Sequence, residues 1–310
     1  MDEAVISRGQ GALLGQLVGD AFGAQMEFMT PKEVKDRFAG NRLMGPSAIH
    51  GTIAGQLTDD SEMALSLAHS IVDSGEYCAA AAFSAYQEWG HSQPFSMGMA
   101  TRSALAGAPS NETQANGALM RISPLGVYGW HAPLHKVGTW AATDAALTHP
   151  NAITRASNCL YAMAIALGVR GHNAQSIYRS ALSWAQEMRV PEPVAAALRR
   201  AHNRMPEDFM THQGWVLIAL QNAFYQLLHA SSGEDAIRTS VLQGGDTDTN
   251  AAIAGALVGA AGASFPPSWV QVVLEAEPDQ ASAHPRPVRL WGANVLVLAE
   301  QLVRAGEKVK

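Results

Sequence analysis

The chain has 310 residues, 47% apolar and 15% charged, and its 27 acidic against 21 basic side chains give a net charge of −6. That length can bury a large core, while the acidic balance, without any Lys/Arg cluster, argues against a nonspecific nucleic-acid binder. Cys78 and Cys159 lack metal-type spacing, the acidic start Met1-Asp2-Glu3 lacks the basic opening of a secretory signal, and no apolar run is expected to reach the ~18–20 residues of a membrane span, so a cytoplasmic protein is expected.

In chain order, residues 4–24 set Ile6, Leu13, Leu14, Leu17, Val18 and Phe22 on a helical stripe. Gly11, Gly15 and Gly19 recur four apart along it, a spacing that lets another helix approach closely. Glu27 follows at the helix exit. Residues 38–57 are rich in Gly, Ser and Pro with little periodicity, and loops of that length tend to be functional or mobile. They end at Thr58-Asp59-Asp60, after which Met63, Ala64, Leu67, Ala68 and Ile71 mark a helix closed by Gly75. Residues 78–89 read as another helix, and 90–116 as a Gly/Ser/Pro/Asn-rich segment around a short helical piece near 101–106. Helical patterns then succeed one another over 134–147, 151–169, 173–188, 191–203, 214–229, 234–242, 247–262, 267–275 and 288–305. Strict period-two alternation is rare, and neither a linker nor a 20-to-50-residue repeat divides the chain. One all-α, compact multi-helix domain over residues 1–310 is expected.

Two short stretches concentrate the chemistry: Thr58-Asp59-Asp60 and Gly244-Gly245-Asp246-Thr247-Asp248-Thr249-Asn250. Either alone could be a helix cap, and Asp59-Asp60-Ser61-Glu62 reads as a capping box. A cap needs one oxygen, however, whereas Asp246, Asp248 and Thr249 offer three oxygen-bearing side chains in four residues. Positions i and i+2 lie about 200° apart on a helix. Asp246 and Asp248 can therefore converge only if Asp246 still belongs to the Gly244-Gly245 bend. Four aspartates brought together repel one another unless a cation sits among them. Oxygen donors with no Cys or paired His alongside suit Mg²⁺ or Mn²⁺ better than Ca²⁺.

The order of motifs resembles the ADP-ribosylglycohydrolases, the family that includes the enzyme reactivating ADP-ribosylated dinitrogenase reductase. The resemblance runs nearly end to end. It rests on Gly15-Gln16-Leu17-Val18-Gly19-Asp20-Ala21-Phe22-Gly23-Ala24 with Glu27-Phe28, on Thr58-Asp59-Asp60, and on Asn116-Gly117-Ala118-Leu119-Met120-Arg121 with Pro124-Leu125-Gly126. Thr148-His149-Pro150, Gly214-Trp215-Val216 and Gly244-Gly245-Asp246-Thr247-Asp248-Thr249 complete it. The resemblance implies an all-α orthogonal multi-helix fold with two Mg²⁺ or Mn²⁺ ions in a cleft. It also implies Thr58, Asp59, Asp60, Asp246, Asp248 and Thr249 as metal ligands, and hydrolysis of the bond between the anomeric ribose carbon of ADP-ribose and an acceptor, arginine in the first instance. Glu27 is the carboxylate expected to act as general base or to position water, with Asp60 as its catalytic companion; the alternative for Glu27 is a solvated helix end.

Asn116, Gly117 and Ala118 either set backbone N–H groups and an amide against the diphosphate or ribose, or form an ordinary turn. His149 either contacts the ribose or adenine, or merely enters a helix at Pro150. Arg121 pairs with a phosphate or with a structural carboxylate, Trp215 borders the adenosine or joins the core, and Met97, Met99 and Met120 are read as packing. One departure stands out: where arginine-type members are expected to carry an Asp before a Gly-x-x-Thr stretch, this chain has Ser96 ahead of Gly98-Met99-Ala100-Thr101. The expected partners are ADP-ribose and an ADP-ribosylated protein. Serine-linked ADP-ribose, O-acetyl-ADP-ribose and modified nucleic acid are alternative substrates. An immunity role against an ADP-ribosyltransferase toxin and a non-catalytic ADP-ribose binder are the alternatives of another class.

Overall fold

Two helices set the centre of the molecule. The computed structural model describes residues 2–38 and 43–309, and within it α1 (Glu3–Gly23) runs antiparallel along α13 (Thr247–Ala260). Every residue of α13 is buried, as expected of a helix apolar on all sides. The glycine spacing of α1 is used on this partner. A Cβ added at Gly11 would lie 2.7 Å from the Gly259 carbonyl oxygen, and one at Gly23 would lie 2.5 Å from Asp248 Cα. Gly15 and Gly19 meet Gly255 and Ala251 in the same way, backbone against backbone. The antiparallel pairing delivers the exit of α1, and Glu27 beyond it, to the entry of α13.

Around this pair the chain is all-α: fifteen α-helices and three short 3₁₀ turns among the described residues, with a lone bridge between Ala115 and Trp215. α3 (Asp59–Ser74) starts beside the same α1/α13 junction, and Gln16 of α1 holds it there by donating to the Asp60 carbonyl at 3.2 Å and to that of Met120 at 2.8 Å. α11 (Val216–His229), α12 (Gly233–Val241) and α15 (Val295–Gly306) cover further faces of α1 and α13. α8 (Ala152–Val169) packs against α7 (Leu134–Ala146), and Tyr161 donates to the Ile253 carbonyl at 2.8 Å, tying α8 to α13. The amphipathic pair α9 (Ala174–Glu187) and α10 (Glu192–Ala201) lies outside α8 and α11.

Three expectations need correction. α8 is, by length and composition, apolar enough to cross a membrane, contrary to the expectation that no run would be; 78% of it is buried inside the fold, and core packing accounts for its composition. Two helices were not anticipated: α2 (Pro31–Phe38), whose buried side chains are only Val34 and Phe38, and α6 (Ser123–Tyr128), six residues long. The single helix expected over 288–305 is instead two 3₁₀ turns, Val288–Leu290 and Gly292–Asn294, followed by α15, because Trp291 between them is extended (φ −82°, ψ 154°). The loop expected over 38–57 is irregular from 43 onward; residues 39–42 lie outside the described residues.

Candidate active site

At the start of α3 the side chains expected to cap the helix do something else. Thr58 is the N-cap residue, with extended backbone, yet makes no side-chain cap bond. Its hydroxyl lies 2.8 Å from Asp20 Oδ1 and 3.1 Å from Asp60 Oδ2. The capping is done from α1: Asp20 accepts from the Thr58 and Ser61 backbone N–H groups at 3.2 and 3.1 Å. No capping box forms, because Glu62 accepts from Arg286 and from Trp89 Nε1, each at 2.7 Å. At the start of α13, Asp246 likewise sits at the N-cap without a side-chain cap bond, and its Oδ2 accepts from Asn116 Nδ2 at 2.7 Å. The bend before it needs both glycines, Gly244 at φ +70° and Gly245 at φ +74°, conformations that side chains disfavour. It also anchors the segment leaving α1, through Gly245 N–H to the Met29 carbonyl (2.9 Å) and Phe28 N–H to the Gly245 carbonyl (2.8 Å).

These arrangements free carboxylates to converge. One oxygen each of Asp20, Asp60 and Asp248 lies within 4.8 Å of the others, and so do Glu27, Asp248 and the ring nitrogen of His50. Asp20, Glu27, Asp59, Asp60 and Asp248 are all buried, and burial lifts the carboxyls of Asp60 and Asp248 well above the usual range, with their acidic neighbours adding to the shift. The same cause raises Asp59 and Glu27, and takes Asp20 to about 7. Asp60 Oδ1 is buried without a hydrogen-bond partner. Crowded carboxylates with an orphaned oxygen are what a hard divalent cation would relieve, and the residues present fit one.

Above this floor opens a cleft of about 640 Å³, a volume typical of small-molecule sites. On one side, beyond Glu27 and outside the lining itself, His50 is bonded through Nε2 to Glu27 Oε2, while its carbonyl accepts from His284 Nε2 at 2.7 Å and Phe95 stacks on His284. Ser96 donates to Asp59 Oδ1 at 2.6 Å, so the position where a carboxylate was expected holds a hydroxyl bound to the acidic cluster. Met99, 86% exposed at the head of α5 (Met99–Leu105), and Phe28, 60% exposed with φ +64°, stand at the rim. Met97, Met99 and Met120 thus border the cleft rather than only packing.

On the other side are Asn116, Gly117 and His149, with Thr101 beside them. The Gly214 carbonyl accepts from Asn116 N–H at 2.9 Å, which holds this turn in place. Of the residues singled out in sequence, Glu27, Asp59, Asp60, Asn116, Gly117, His149, Asp246, Asp248 and Thr249 line the cleft. Thr58 and Ala118 are fully buried behind it. Arg121 is fully buried too, with Asp144 and Tyr86, which decides for the structural carboxylate. Trp215 borders an adjoining recess, bonded through Nε1 to Gln114. No Lys or Arg side chain lines the cleft among the described residues. Sequence reasoning missed Asp20 and His50. A lone aspartate inside an apolar helix was a usable signal for the first; the second, in an irregular loop, gave none.

Comparison with known proteins matches residues 1–309 to the ADP-ribosylglycohydrolase family model. An ADP-ribosylarginine hydrolase of Pseudomonas putida is 30% identical over 293 residues, covering 87% of this chain and 75% of that protein. The ADP-ribosyl-(dinitrogen reductase) glycohydrolase of Rhodospirillum rubrum is 30% identical over 272 residues, covering 83% of this chain and 86% of that protein. Among solved structures, a chain of an ADP-ribosylglycohydrolase-related protein complex superposes with a TM-score of 0.80 at 25% identity, covering 98% of this chain and all of that one.

Proposed function

This chain belongs to the ADP-ribosylglycohydrolase family, and from that premise we propose that it removes ADP-ribose from modified proteins, arginine being the acceptor, with Mg²⁺ or Mn²⁺ held at the acidic floor. The observation that carries this reading is the convergence of buried Asp20, Asp60 and Asp248 beneath a cleft of ligand size. The 30% identity to proteins named for ADP-ribosylarginine and for dinitrogen reductase supports the substrate class.

In the proposed reaction water adds to the anomeric carbon, the bond to the acceptor nitrogen breaks, and the water's proton ends on the departing guanidine. Asp60 and Asp248 of that trio, with Asp59, Asp246 and the hydroxyls of Thr58 and Thr249, would hold the cations, while Asp20 stays on the α3 amides it caps. When bound these would orient the ribose hydroxyls and lower the pKa of a water. Glu27 takes the proton from the attacking water. Its burial raises its carboxyl, which makes it a better base than an exposed glutamate, and His50 fixes its orientation through Oε2. The surrounding carboxylates stabilise the positive charge that develops on the ribose as the acceptor leaves. Asn116, held by Asp246, and Gly117 orient the rest of the substrate, and Ser96 meets the acceptor side.

The test is release of ADP-ribose from an ADP-ribosyl-arginine protein, run beside serine-linked ADP-ribose and O-acetyl-ADP-ribose, with Mg²⁺, Mn²⁺ or chelator. Chelator-sensitive release from the arginine conjugate is expected. Release only from another linkage would reassign the acceptor, and Asp248→Ala with full activity would end the reading.

A further inference from the structure

Arg121 carries donors only, and its Nη1 donates to Thr148 Oγ1 at 2.8 Å. The Thr148 hydroxyl therefore accepts from Arg121, and its single proton has one acceptor to go to, His149 Nδ1 at 2.8 Å. Were Nδ1 protonated instead, Thr148 would receive two donors, and its own buried proton would be left unbonded. The ring thus carries its proton on Nε2. That atom is buried, has no hydrogen-bond partner, and faces the cleft over Gly117: a Cβ added at Gly117 would lie 3.1 Å from Nε2 and 3.1 Å from Thr101 Oγ1. The groups nearest the ring are the Arg121 guanidinium, the Thr148 and Thr101 hydroxyls and the Gly117 backbone, with no carboxylate among them. Burial and the Arg121 charge hold the ring's pKa down to about 3, so it is neutral near pH 7.

We infer that Arg121 and Thr148 are positioning residues that lock His149 as a neutral Nε2–H donor, which binds an oxygen acceptor of the ligand and serves neither as a metal ligand nor as a base. Arg121 itself is held by Asp144, by the Gly117 carbonyl and by the face of Tyr86, so the relay has a rigid origin. The unpaired donor beside Gly117 and Thr101 makes this corner the place for a phosphate or ribose oxygen. The inference rests on the proposed function for the identity of the ligand, though not for the tautomer.

The experiment joins two measurements. In ¹⁵N-histidine-labelled protein, the His149 resonances should report the proton on Nε2 and should not titrate between about pH 5.5 and 8. In calorimetry with ADP-ribose and Mg²⁺, Thr148→Val should bind about tenfold more weakly, roughly 1.4 kcal/mol, and should lose the single-tautomer signature; Thr148→Ser should restore both. Gly117→Ala, which sets a methyl 3.0 Å from His149 Cε1, should weaken ADP-ribose while leaving the signature intact. A proton on Nδ1 in the wild type, or Thr148→Val with unchanged tautomer and affinity, overturns the relay. Unchanged affinity in Gly117→Ala overturns the use of the donor. Wild-type protein with the expected tautomer but no affinity for ADP-ribose would instead overturn the functional reading.

Discussion

Gly15→Ala sets two effects of opposite sign against each other. Alanine is the better helix former by about 1 kcal/mol, so on local grounds the substitution stabilises α1. Yet the new Cβ would lie 2.7 Å from the Gly255 carbonyl carbon and 2.5 Å from Phe265 Cζ, where ordinary carbon contacts are about 3.5–4.0 Å. Both obstacles are hard to move, since one is the backbone of α13 and the other an aromatic ring. The helices must part by roughly 1 Å, at an overpacking cost of about 1–3 kcal/mol or more, and the separation also weakens the dispersion attraction on either side of the new methyl. With the helix-propensity gain subtracted, a net destabilisation of about 1–2 kcal/mol is expected, a drop in Tm of roughly 2–3 °C for a chain of 310 residues. Because α1 and α13 carry Asp20 and Asp248, Mn²⁺ affinity should fall as well. The assays are thermal and urea denaturation with Mn²⁺ titration. Gly90→Ala serves as control, since its nearest neighbours are the side-chain ends of Leu105 (3.2 Å) and Met97 (3.7 Å). A Gly15→Ala protein as stable as wild type would refute the reasoning.

Other perturbations separate the remaining parts. Asp60→Asn removes a carboxyl whose ionisation burial and its acidic neighbours oppose, so metal-free protein at about pH 8 should gain roughly 1–3 kcal/mol while losing hydrolysis; a lower metal-free Tm would contradict the repulsion argument. Arg286→Ala leaves Glu62 buried without its partner, both side chains being 2% exposed, and should cost about 3–5 kcal/mol in urea denaturation. The double variant Arg286→Met/Glu62→Gln should recover much of that loss, and a single-variant cost under ~1 kcal/mol would argue against the pair. His149 stays neutral in the fold down to about pH 3, whereas the unfolded chain takes up its proton below about 6.5. Its contribution is therefore complete above 6.5 and declines as pH falls toward 3. About two pH units below 6.5 the loss is roughly 2–3 kcal/mol. His149→Gln should lose correspondingly less stability between about pH 7 and 4.5, and parallel stability profiles would count against a buried neutral ring.

Sequence reasoning saw most where chemistry repeats in a short window. The Gly11–Gly15–Gly19 spacing disclosed a close helix partner, though not that α13 was the partner, because Gly255 and Gly259 are diluted among the alanines of that helix. The two aspartate clusters were legible as oxygen-rich helix starts, and the glycine bend before Asp246 followed from its geometry. The capping box failed for a reason no local pattern contains: Arg286, more than two hundred residues away, claims Glu62. Asp20 does the capping instead and thereby releases Asp59 and Asp60 toward the cleft. His50 reaches Glu27 through a loop whose course is set by His284 and Phe95, partners drawn from distant parts of the chain.

The want of any Lys or Arg in the cleft wall, among the described residues, has a consequence for the order of events. ADP-ribose brings two phosphate charges to a surface already furnished with Glu27, Asp59, Asp60, Asp246 and Asp248. Like charges at such range repel, and neutral donors such as Asn116 and His149 offset only part of that. Under the proposed function the divalent ions supply the missing counter-charge, so loading is ordered, cation first and nucleotide second. Linkage makes this reciprocal: whatever factor the ion adds to nucleotide affinity, the nucleotide returns to the ion. The empty protein would then ignore ADP-ribose, and cellular supply of the metal would gate the enzyme before any substrate arrives.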